Sequence, residues 1–271
     1  MGKQNKDSLG DRMKGYESVS RNFLMKKTPA IIRIDGKAFH TFTKGLKKPF
    51  DAFLVSVMQD TMRELCGNVQ GCVFGYTQSD EITLVLTDYS NVKTDAWFEY
   101  NVQKMTSVAA SMATLFFNRN WRSKFYEIEE SYIFEHSYID LLADKLDRAL
   151  FDARAFSVPV DEVINCLIWR QQDAIRNSIE AVGQANFSHK ELQFKNCDEI
   201  QDMLLTEKGI NWNDLPTILK RGSACYKTEV EKETVLPNKP NEKVVFKRSV
   251  WMVDEEIPIF TENREYIERL L

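Results

Sequence analysis

The apolar positions in the first third of the chain change their spacing from strand-like to helical. A β-rich run from Pro29 to Ile34 ends at Asp35-Gly36, which predicts a strand that runs into a tight turn. From Phe50 onward, apolar side chains recur every three or four positions as far as Gly67-Asn68, which is the spacing of an amphipathic helix. This part of the chain therefore predicts a strand followed by a helix.

Two short β-rich runs follow, at Cys72 to Tyr76 and Ile82 to Leu86. They flank a polar segment that ends in Asp80-Glu81, which predicts a hairpin with an acidic tip. The remaining predicted elements are a helix at 97–117, a strand at 150–158 and a helix at 161–181.

The predicted order is β-α-β-β-α-β followed by further helix. This order is typical of the split βαβ, ferredoxin-like arrangement, an α+β fold in which helices cover one face of an antiparallel sheet. We expect residues 1–158 to form the catalytic domain and 159–271 an extension packed on the same core. The charged stretch from Glu229 to Lys243 predicts an exposed hairpin or loop within that extension.

Composition is that of an ordinary globular protein, with 43% hydrophobic and 28% charged residues. The apolar runs are far shorter than the roughly 18 residues that span a membrane. Residues 1–12 are polar and lack the apolar segment of a secretory signal, so we expect a tail that is frayed or ordered by a ligand. The five cysteines form no CxxC pair, which predicts free thiols in a cytoplasmic protein.

The net charge of −4, from 36 basic and 40 acidic residues, neither supports nor excludes an RNA substrate. A protein with this balance would need local basic patches, or a surface built from several subunits, to hold a polyanion.

Two acidic positions carry the predicted chemistry. Asp35 ends the first strand, and Asp80 lies at the turn of the hairpin that pairs with that strand in a ferredoxin-like sheet. Both carboxylates then reach the same edge of the sheet, where they could share magnesium ions with substrate phosphates. Taken alone, Asp35-Gly36 could be only a turn and Ser79-Asp80-Glu81 only a solvated hairpin tip.

The segment after Asp35 leaves the strand through Gly36 and could cradle phosphate oxygens with consecutive backbone N–H groups. Several lysines follow that are either phosphate ligands or ordinary solvated charges: Lys44, Lys47, Lys48 and Lys104.

Four sequence blocks resemble signatures of the tRNA histidine guanylyltransferases and their 3′–5′ polymerase relatives. Residues 33–40, RIDGKAFH, resemble R-x-D-G-x-x-F-H, and residues 76–81, YTQSDE, resemble Y-x-Q-S-D-E. Residues 151–154, FDAR, and 169–173, WRQQD, match F-D-x-R and W-R-Q-x-D. The blocks occur in the family's order over roughly residues 25–185, so together they are highly specific.

The resemblance implies a polymerase-palm-like catalytic domain with two magnesium ions held by Asp35, the Gly36 carbonyl and Asp80, with Glu81 in support. It also implies ATP, GTP or other nucleoside triphosphates as substrates, tRNA as partner, no membrane and a homotetramer. The nucleotide-binding residues implied are Gly36, Lys37, Ala38, Phe39, His40, Lys48, Asp51, Ser79 and Lys104. Candidate RNA contacts, most of which could as easily be ordinary solvated charges, are Arg12, Lys14, Lys26, Lys27, Arg170, Asp173 and Asn177.

The chemistry implied by the resemblance has two stages. A 5′-monophosphate on RNA is first activated, usually by ATP, unless the end already carries a triphosphate. The 3′-hydroxyl of an incoming nucleotide then attacks the activated 5′ phosphate, and AMP or pyrophosphate leaves.

One departure from the family pattern concerns the selection of histidine tRNA. The eukaryotic branch continues W-R-Q-x-D-x-H-x-N-N, whereas this chain has Ile175 in place of the histidine and Ser178 in place of the second asparagine. The chain therefore resembles the bacterial and archaeal relatives that add template-paired nucleotides to 5′-truncated tRNA. Addition of one G to histidine tRNA is the alternative.

Two other classes share the β-α-β-β-α-β order. A palm-fold nucleotide cyclase also places two metal-binding carboxylates on this sheet, but it has no evident use for the Trp169-Arg170-Gln171 block. An RNA-binding module of the RRM type needs exposed aromatic residues on its central strands. The strand at 31–34 is instead aliphatic apart from Arg33.

Overall fold

The structure is a computed structural model that describes residues 8–91, 93–130, 135–236 and 239–271, with only the backbone described in 232–236 and 239–245. The helices are α1 (Leu9–Ser18), α2 (Phe39–Phe42), α3 (Ala52–Asn68), α4 (Val102–Glu129), α5 (His136–Asp144), α6 (Val160–Asn186), α7 (His189–Leu192), α8 (Cys197–Lys208), α9 (Thr217–Arg221) and α10 (Glu265–Glu268). The strands are β1 (Ala30–Gly36), β2 (Cys72–Gln78), β3 (Glu81–Leu86), β4 (Phe151–Ser157), β5 (Ser223–Leu236) and β6 (Lys239–Asp254). Short 3₁₀ turns lie at Trp97–Tyr100 and Trp212–Asp214.

The six strands form one antiparallel sheet in the order β4-β1-β3-β2-β5-β6. The first four strands have the neighbours expected of a ferredoxin-like β-α-β-β-α-β unit, so the predicted α+β class is confirmed. The charged stretch near 229–243 forms part of the β5–β6 hairpin. Residues 237–238 at its turn, and the first seven residues of the predicted N-terminal tail, lie outside the described residues.

Apolar clusters pack on both faces of the sheet, which differs from the expectation of helices on one face. Ile32 and Ile34 of β1 point toward α3 and α4, whereas Ile31 points to the opposite face. On that opposite face, Ile31 packs with Val163 and Leu167 of α6. The prediction of one covered face was wrong because an apolar run of consecutive residues in a strand supplies side chains to both faces, and each face needs a cover.

Several element bounds differ from the predicted ones. The helix predicted at 97–117 begins at Val102, after the 3₁₀ turn, and continues to Glu129, while α6 extends to Asn186. The C-terminal part contributes Ala224, Ile257 and Phe260 to the same cluster as Ile31. No helix in the described ranges is both long enough and apolar enough to cross a membrane.

Candidate active site

Asp35 and Asp80 lie at the same end of the sheet. Asp35 is the register partner of Glu81 across the β1–β3 pair. The backbone N–H of Gly36 donates to the backbone oxygen of Asp80 at 3.0 Å, which ties the end of β1 to the β2–β3 turn. Two residues 45 positions apart in the chain are thereby brought to adjacent strand ends.

The electrostatics of the pair reflect this proximity. Burial raises the pKa of the Asp80 carboxyl, a hydrogen bond from Ser79 opposes that rise, and the charge of Asp35 adds to it. Asp35 in turn has a cationic neighbour, since Arg154 of β4 donates to its carboxylate at 3.0 Å. The two carboxylates therefore interact with each other while a guanidinium offsets part of their negative charge.

Glu81 lies in a buried ion network rather than at the open edge. Its carboxylate accepts from Nε of Arg170 at 2.6 Å, and Nε of Arg33 lies 3.9 Å away. Arg170 also donates to Asp173 at 2.7 Å, one turn along α6. Burial raises the pKa of Glu81, and the adjacent Arg170 limits that rise. This network fastens α6 to the strand that carries the acidic turn.

The segment after β1 turns back sharply. A Cβ on Gly36 would come within 2.2 Å of the Phe39 ring, so the close approach requires glycine. Ala38 adopts a left-handed conformation with φ 54° and precedes the short helix α2. The N–H groups of Ala38, Phe39 and His40 have no protein acceptor among the described residues, as expected at the start of a helix.

A cleft of about 250 Å³ opens beside this end of the sheet. Its walls come from the loop before α3, the β2–β3 turn, α6 and α9, and they include Lys48, Asp51, Ser79 and Asn177. The structure thus brings together three of the predicted nucleotide-binding residues with one predicted RNA contact.

Comparisons with known proteins identify the family. The family profile of tRNAHis guanylyltransferase matches residues 10–159, more than half of the 271-residue chain. The chain is 30% identical over 234 residues to the tRNA(His) guanylyltransferase of Schizosaccharomyces pombe, covering 82% of this chain and 81% of that relative. The chain belongs to the tRNAHis guanylyltransferase family. The resemblance drawn from the four sequence blocks is confirmed, and the chain is a nucleotidyltransferase.

Other members of the tRNAHis guanylyltransferase family extend the comparison. The probable tRNA(His) guanylyltransferase of Dictyostelium discoideum is 28% identical over 255 residues, covering 88% of this chain and 91% of that relative. A bacterial tRNA(His) guanylyltransferase-like protein in complex with ATP is 44% identical with a TM-score of 0.80, covering 97% of this chain and 98% of that one. The Saccharomyces cerevisiae enzyme shares the fold at 20% identity and a TM-score of 0.63, covering 88% of this chain and 96% of that one.

Asp51, predicted near a nucleobase in this family, has a structural role in the chain itself. It is the N-cap of α3, and its carboxylate accepts from the N–H groups of Phe53 at 3.0 Å and Leu54 at 3.2 Å. Its second oxygen accepts from the N–H of Lys47 at 3.0 Å, and the Tyr138 hydroxyl donates at 2.8 Å. Asp51 therefore fixes the loop that forms one wall of the cleft.

Lys104 is not near the carboxylate pair within this chain. It lies in the first turn of α4, whereas Thr114 of the same helix accepts from the N–H of Phe151, the residue paired with Gly36. Ten helical residues separate Lys104 from Thr114, which is about 15 Å along the axis. The sequence alone does not indicate which end of α4 lies near the carboxylate pair.

The predicted RNA contacts fall in different surroundings. Lys27 is engaged with the region after β3, because its Nζ donates to the backbone oxygens of Asp88 and Thr94. The side chains of the other predicted N-terminal contacts are exposed: Arg12, Lys14 and Lys26. Asn177 is also exposed. Arg170 is only 7% exposed and donates to the carboxylates of Glu81 and Asp173, so its role as an RNA contact stays a prediction that this burial disfavours.

The donor set at the strand ends fits magnesium. Asp35 and Asp80 offer carboxylate oxygens and Gly36 a backbone carbonyl, which are the hard ligands that Mg²⁺ takes. No group of three His, Cys, Asp or Glu side chains in the described part of the chain could hold a metal. A site with so few protein ligands suits a cation that keeps phosphate oxygens and water in its remaining positions.

Proposed function

We propose that this enzyme adds template-paired nucleotides to the 5′ end of tRNA in the 3′–5′ direction, as a repair of 5′-truncated ends. The observation that carries the proposal is that the Ser178 hydroxyl is engaged in hydrogen bonds inside the protein. The eukaryotic branch has asparagine at this position, within the block tied to selection of histidine tRNA. Here the Ser178 hydroxyl donates to the Leu219 oxygen at 2.7 Å and accepts from Nε1 of Trp212 at 3.0 Å.

Ile175, which stands where that branch has histidine, also packs inside the fold. It lies half-buried against an apolar cluster formed by α6, α8 and the turn at Trp212. An aliphatic side chain and a buried hydroxyl supply no group that could read one tRNA among many. The 44% identity to a bacterial guanylyltransferase-like protein agrees with the same choice.

Different groups near the strand ends would bind different parts of the nucleotide. The unsatisfied N–H groups of Ala38, Phe39 and His40 suit phosphate oxygens. Lys48 and Ser79 line the adjoining cleft and can hold the rest of a nucleotide, in agreement with the ATP and GTP bound by the bacterial relatives.

Asp35, the Gly36 carbonyl and Asp80 would hold magnesium. When bound, the metal supplies electrostatic stabilisation to the phosphoryl group and acidifies the attacking hydroxyl. Ser79 and the neighbouring N–H groups orient the phosphates, and Arg154 offsets the charge that two carboxylates and a triphosphate accumulate.

The reaction then proceeds by nucleotidyl transfer. In the activation step the RNA 5′-phosphate oxygen forms a bond to the α-phosphorus of ATP, and pyrophosphate leaves. In the addition step the 3′-oxygen of the incoming nucleotide bonds to the RNA 5′ phosphorus, the bond to AMP breaks, and the hydroxyl proton passes to solvent. A 5′-triphosphate end omits the first step and releases pyrophosphate.

The test offers 5′-labelled tRNAs, either intact or lacking the first nucleotide, with ATP and each nucleoside triphosphate. We expect extension of the truncated tRNAs by the base that pairs with the 3′ strand, whatever the tRNA. Addition of a single G to histidine tRNA alone would support the alternative instead. Cyclic product from GTP without RNA would favour a palm-fold cyclase.

The variant Asp80→Asn tests the carboxylate pair, because the amide keeps the volume of the side chain and removes its charge. We expect it to fold and to lose nucleotide addition. Full activity in this variant would contradict the role given to the carboxylate pair.

We also propose a homotetramer, as the family resemblance implies. A tRNA is longer than the reach of one such subunit, and the helix α1 buries none of its residues within a single chain. Mass measurement of the purified protein by analytical ultracentrifugation tests this state, and a monomer at micromolar concentration would contradict it.

A further inference from the structure

One part of the sheet face covered by α6 stays open, on the side of β1 and β4. Arg33 and Asp35 point to this face of β1, because their neighbours Ile32 and Ile34 point to the opposite one. Asp152 and Arg154 follow the same alternation on β4, where each is the register partner of Asp35 or Arg33, and both side chains are more than half exposed. The open strip is therefore polar and adjoins the catalytic pair.

Trp169 of α6 borders this strip. Its side chain is 50% exposed, and it belongs to none of the apolar clusters among the described residues. By contrast, Trp97, Trp121 and Trp212 are buried. This indole, half in water beside the carboxylate pair and outside the core, is therefore available to a ligand from outside the chain.

The indole is held in place from beneath. Cζ of Arg170 lies 4.3 Å from the ring centroid and Cζ of Arg33 lies 5.5 Å from it. Both guanidinium groups also converge on the Glu81 carboxylate, at 2.6 Å and 3.9 Å, so they approach the ring from the side of the sheet. These cation–π contacts fix the ring, while half of the surface of Trp169 stays exposed to solvent.

We propose that Trp169 is a stacking platform for the unpaired base of the 3′ strand, the base opposite the RNA 5′ end that is being extended. This inference rests on the proposed function for the identity of the RNA. A fixed aromatic surface beside cationic groups is the arrangement on which proteins stack unpaired bases, and stacking tolerates any base because each has a π face.

The position of the platform matches that ligand. Arg33, which lies under the indole, is two residues from Asp35 on the same face of β1, a separation of about 7 Å. A base on Trp169 would therefore place its own backbone next to the carboxylate pair. Arg154, the register partner of Arg33, is exposed at the same level and can contact a phosphate of that strand.

Two other roles for Trp169 are separated by experiment. The base could belong to the incoming nucleotide, or the indole could serve only as packing for Arg33 and Arg170. The platform predicts that a π surface is needed and that RNA binding is affected. A packing role requires only an apolar side chain of similar size.

The test compares Trp169→Phe with Trp169→Leu, which keep an apolar side chain but differ in having an aromatic face. The RNA is an acceptor-stem hairpin that lacks its first 5′ nucleotide and carries the fluorescent base 2-aminopurine at the unpaired position of the 3′ strand. Binding is followed through the change in 2-aminopurine emission and, independently, through anisotropy of an end label. ATP and GTP are titrated without RNA in a parallel arm. Phe194→Leu, a change at a 95% exposed aromatic residue before α8, is the matched control.

We expect the wild-type protein to lower the 2-aminopurine emission on binding. We expect Trp169→Leu to leave the emission high and to weaken RNA binding roughly 5- to 150-fold, which is the range that one base–aromatic stack contributes. Trp169→Phe should keep most of the affinity, and Phe194→Leu should behave as wild type. The nucleotide titrations should be the same in all variants.

Unchanged emission in the wild-type complex, or equal RNA binding by the Phe and Leu variants, would overturn the platform. Loss of ATP or GTP binding with RNA binding intact would assign the indole to the nucleotide and also overturn it. A wild-type protein that adds no nucleotide to RNA, yet quenches 2-aminopurine through Trp169, would contradict the proposed function alone. If the wild-type protein adds nucleotides but the 2-aminopurine emission is the same in the wild type and Trp169→Leu, the platform alone would be contradicted.

Discussion

The buried ion network around Arg170 predicts a large loss of stability in the variant Arg170→Met. The methionine side chain fills a similar length without charge. The substitution leaves the Glu81 carboxylate, which is only 8% exposed, with Arg33 at 3.9 Å as its nearest cation. Asp173 keeps its ion pair with Arg176. The perturbation therefore falls chiefly on one carboxylate inside the fold.

The expected cost follows from burial. Removing one partner of a buried ion pair costs about 3–5 kcal/mol, because the other charge is left without compensation. Arg170 and Glu81 are 7% and 8% exposed, so screening by solvent reduces this value little. Because Arg33 still lies near the Glu81 carboxylate, we expect a loss of stability at the lower end of this range, about 3 kcal/mol.

The assay is urea unfolding followed by far-ultraviolet circular dichroism, with a chelator present to exclude divalent cations. The matched control is Arg148→Met, since Arg148 pairs with Asp144 at 2.9 Å and both side chains are 63% exposed. We expect that change to cost no more than about 0.5 kcal/mol. The double variant Arg170→Met with Glu81→Gln should recover much of the lost stability, because it removes the uncompensated charge.

The pH dependence gives a second readout. Burial raises the pKa of Glu81, and loss of Arg170 removes the largest of the contributions that lower it. The folded variant then binds the Glu81 proton more tightly than the unfolded chain does, so its free energy of unfolding falls as pH rises from about 4.3, the unfolded value, through the folded pKa. The deficit relative to wild type should be smallest near pH 4 and reach its full size above the folded pKa.

A loss of less than about 1 kcal/mol in Arg170→Met would refute this reasoning, because a surface pair costs that little. A deficit that does not change between pH 4 and neutrality would refute it as well, since an uncompensated carboxylate must respond to protonation.

Two further predictions concern the site and its support. Arg154→Gln removes the guanidinium that lies 3.0 Å from the Asp35 carboxylate, so the carboxylate pair should bind a divalent cation up to about fivefold more tightly. Electron paramagnetic resonance titration with Mn²⁺, a spectroscopic substitute for Mg²⁺, measures this affinity, and weaker binding in the variant would contradict the charge-offsetting role of Arg154. Gly222 has φ 81°, and a Cβ there would lie 2.3 Å from a backbone oxygen, so Gly222→Ala should lower the free energy of unfolding by at least about 1 kcal/mol. Gly15→Ala, with no atom within 4 Å of the added Cβ, is its control and should leave stability unchanged or raise it; equal effects of the two changes would count against the strain argument.

The sequence alone determined the order of the elements and the positions of the acidic residues within them. Apolar spacing depends on local geometry, so it predicted β1 ending near Asp35 and the hairpin whose turn carries Asp80. Ferredoxin-like connectivity then predicted that the two strands pair, and the β1–β3 register has Asp35 opposite Glu81. The four sequence blocks supplied the family, which periodicity cannot.

Other features depended on which elements pack together, and only the tertiary structure decided them. The apolar stripe of α6 is visible in the sequence. Only the structure shows that α6 covers the second face of the sheet and brings Arg170 against Glu81. The direction of α4 places Lys104 away from the carboxylates, and the same packing of α6 leaves Trp169 exposed beside them. Periodicity reports which side of an element is apolar, whereas the partner of a charge or an aromatic ring depends on contacts between residues far apart in the chain.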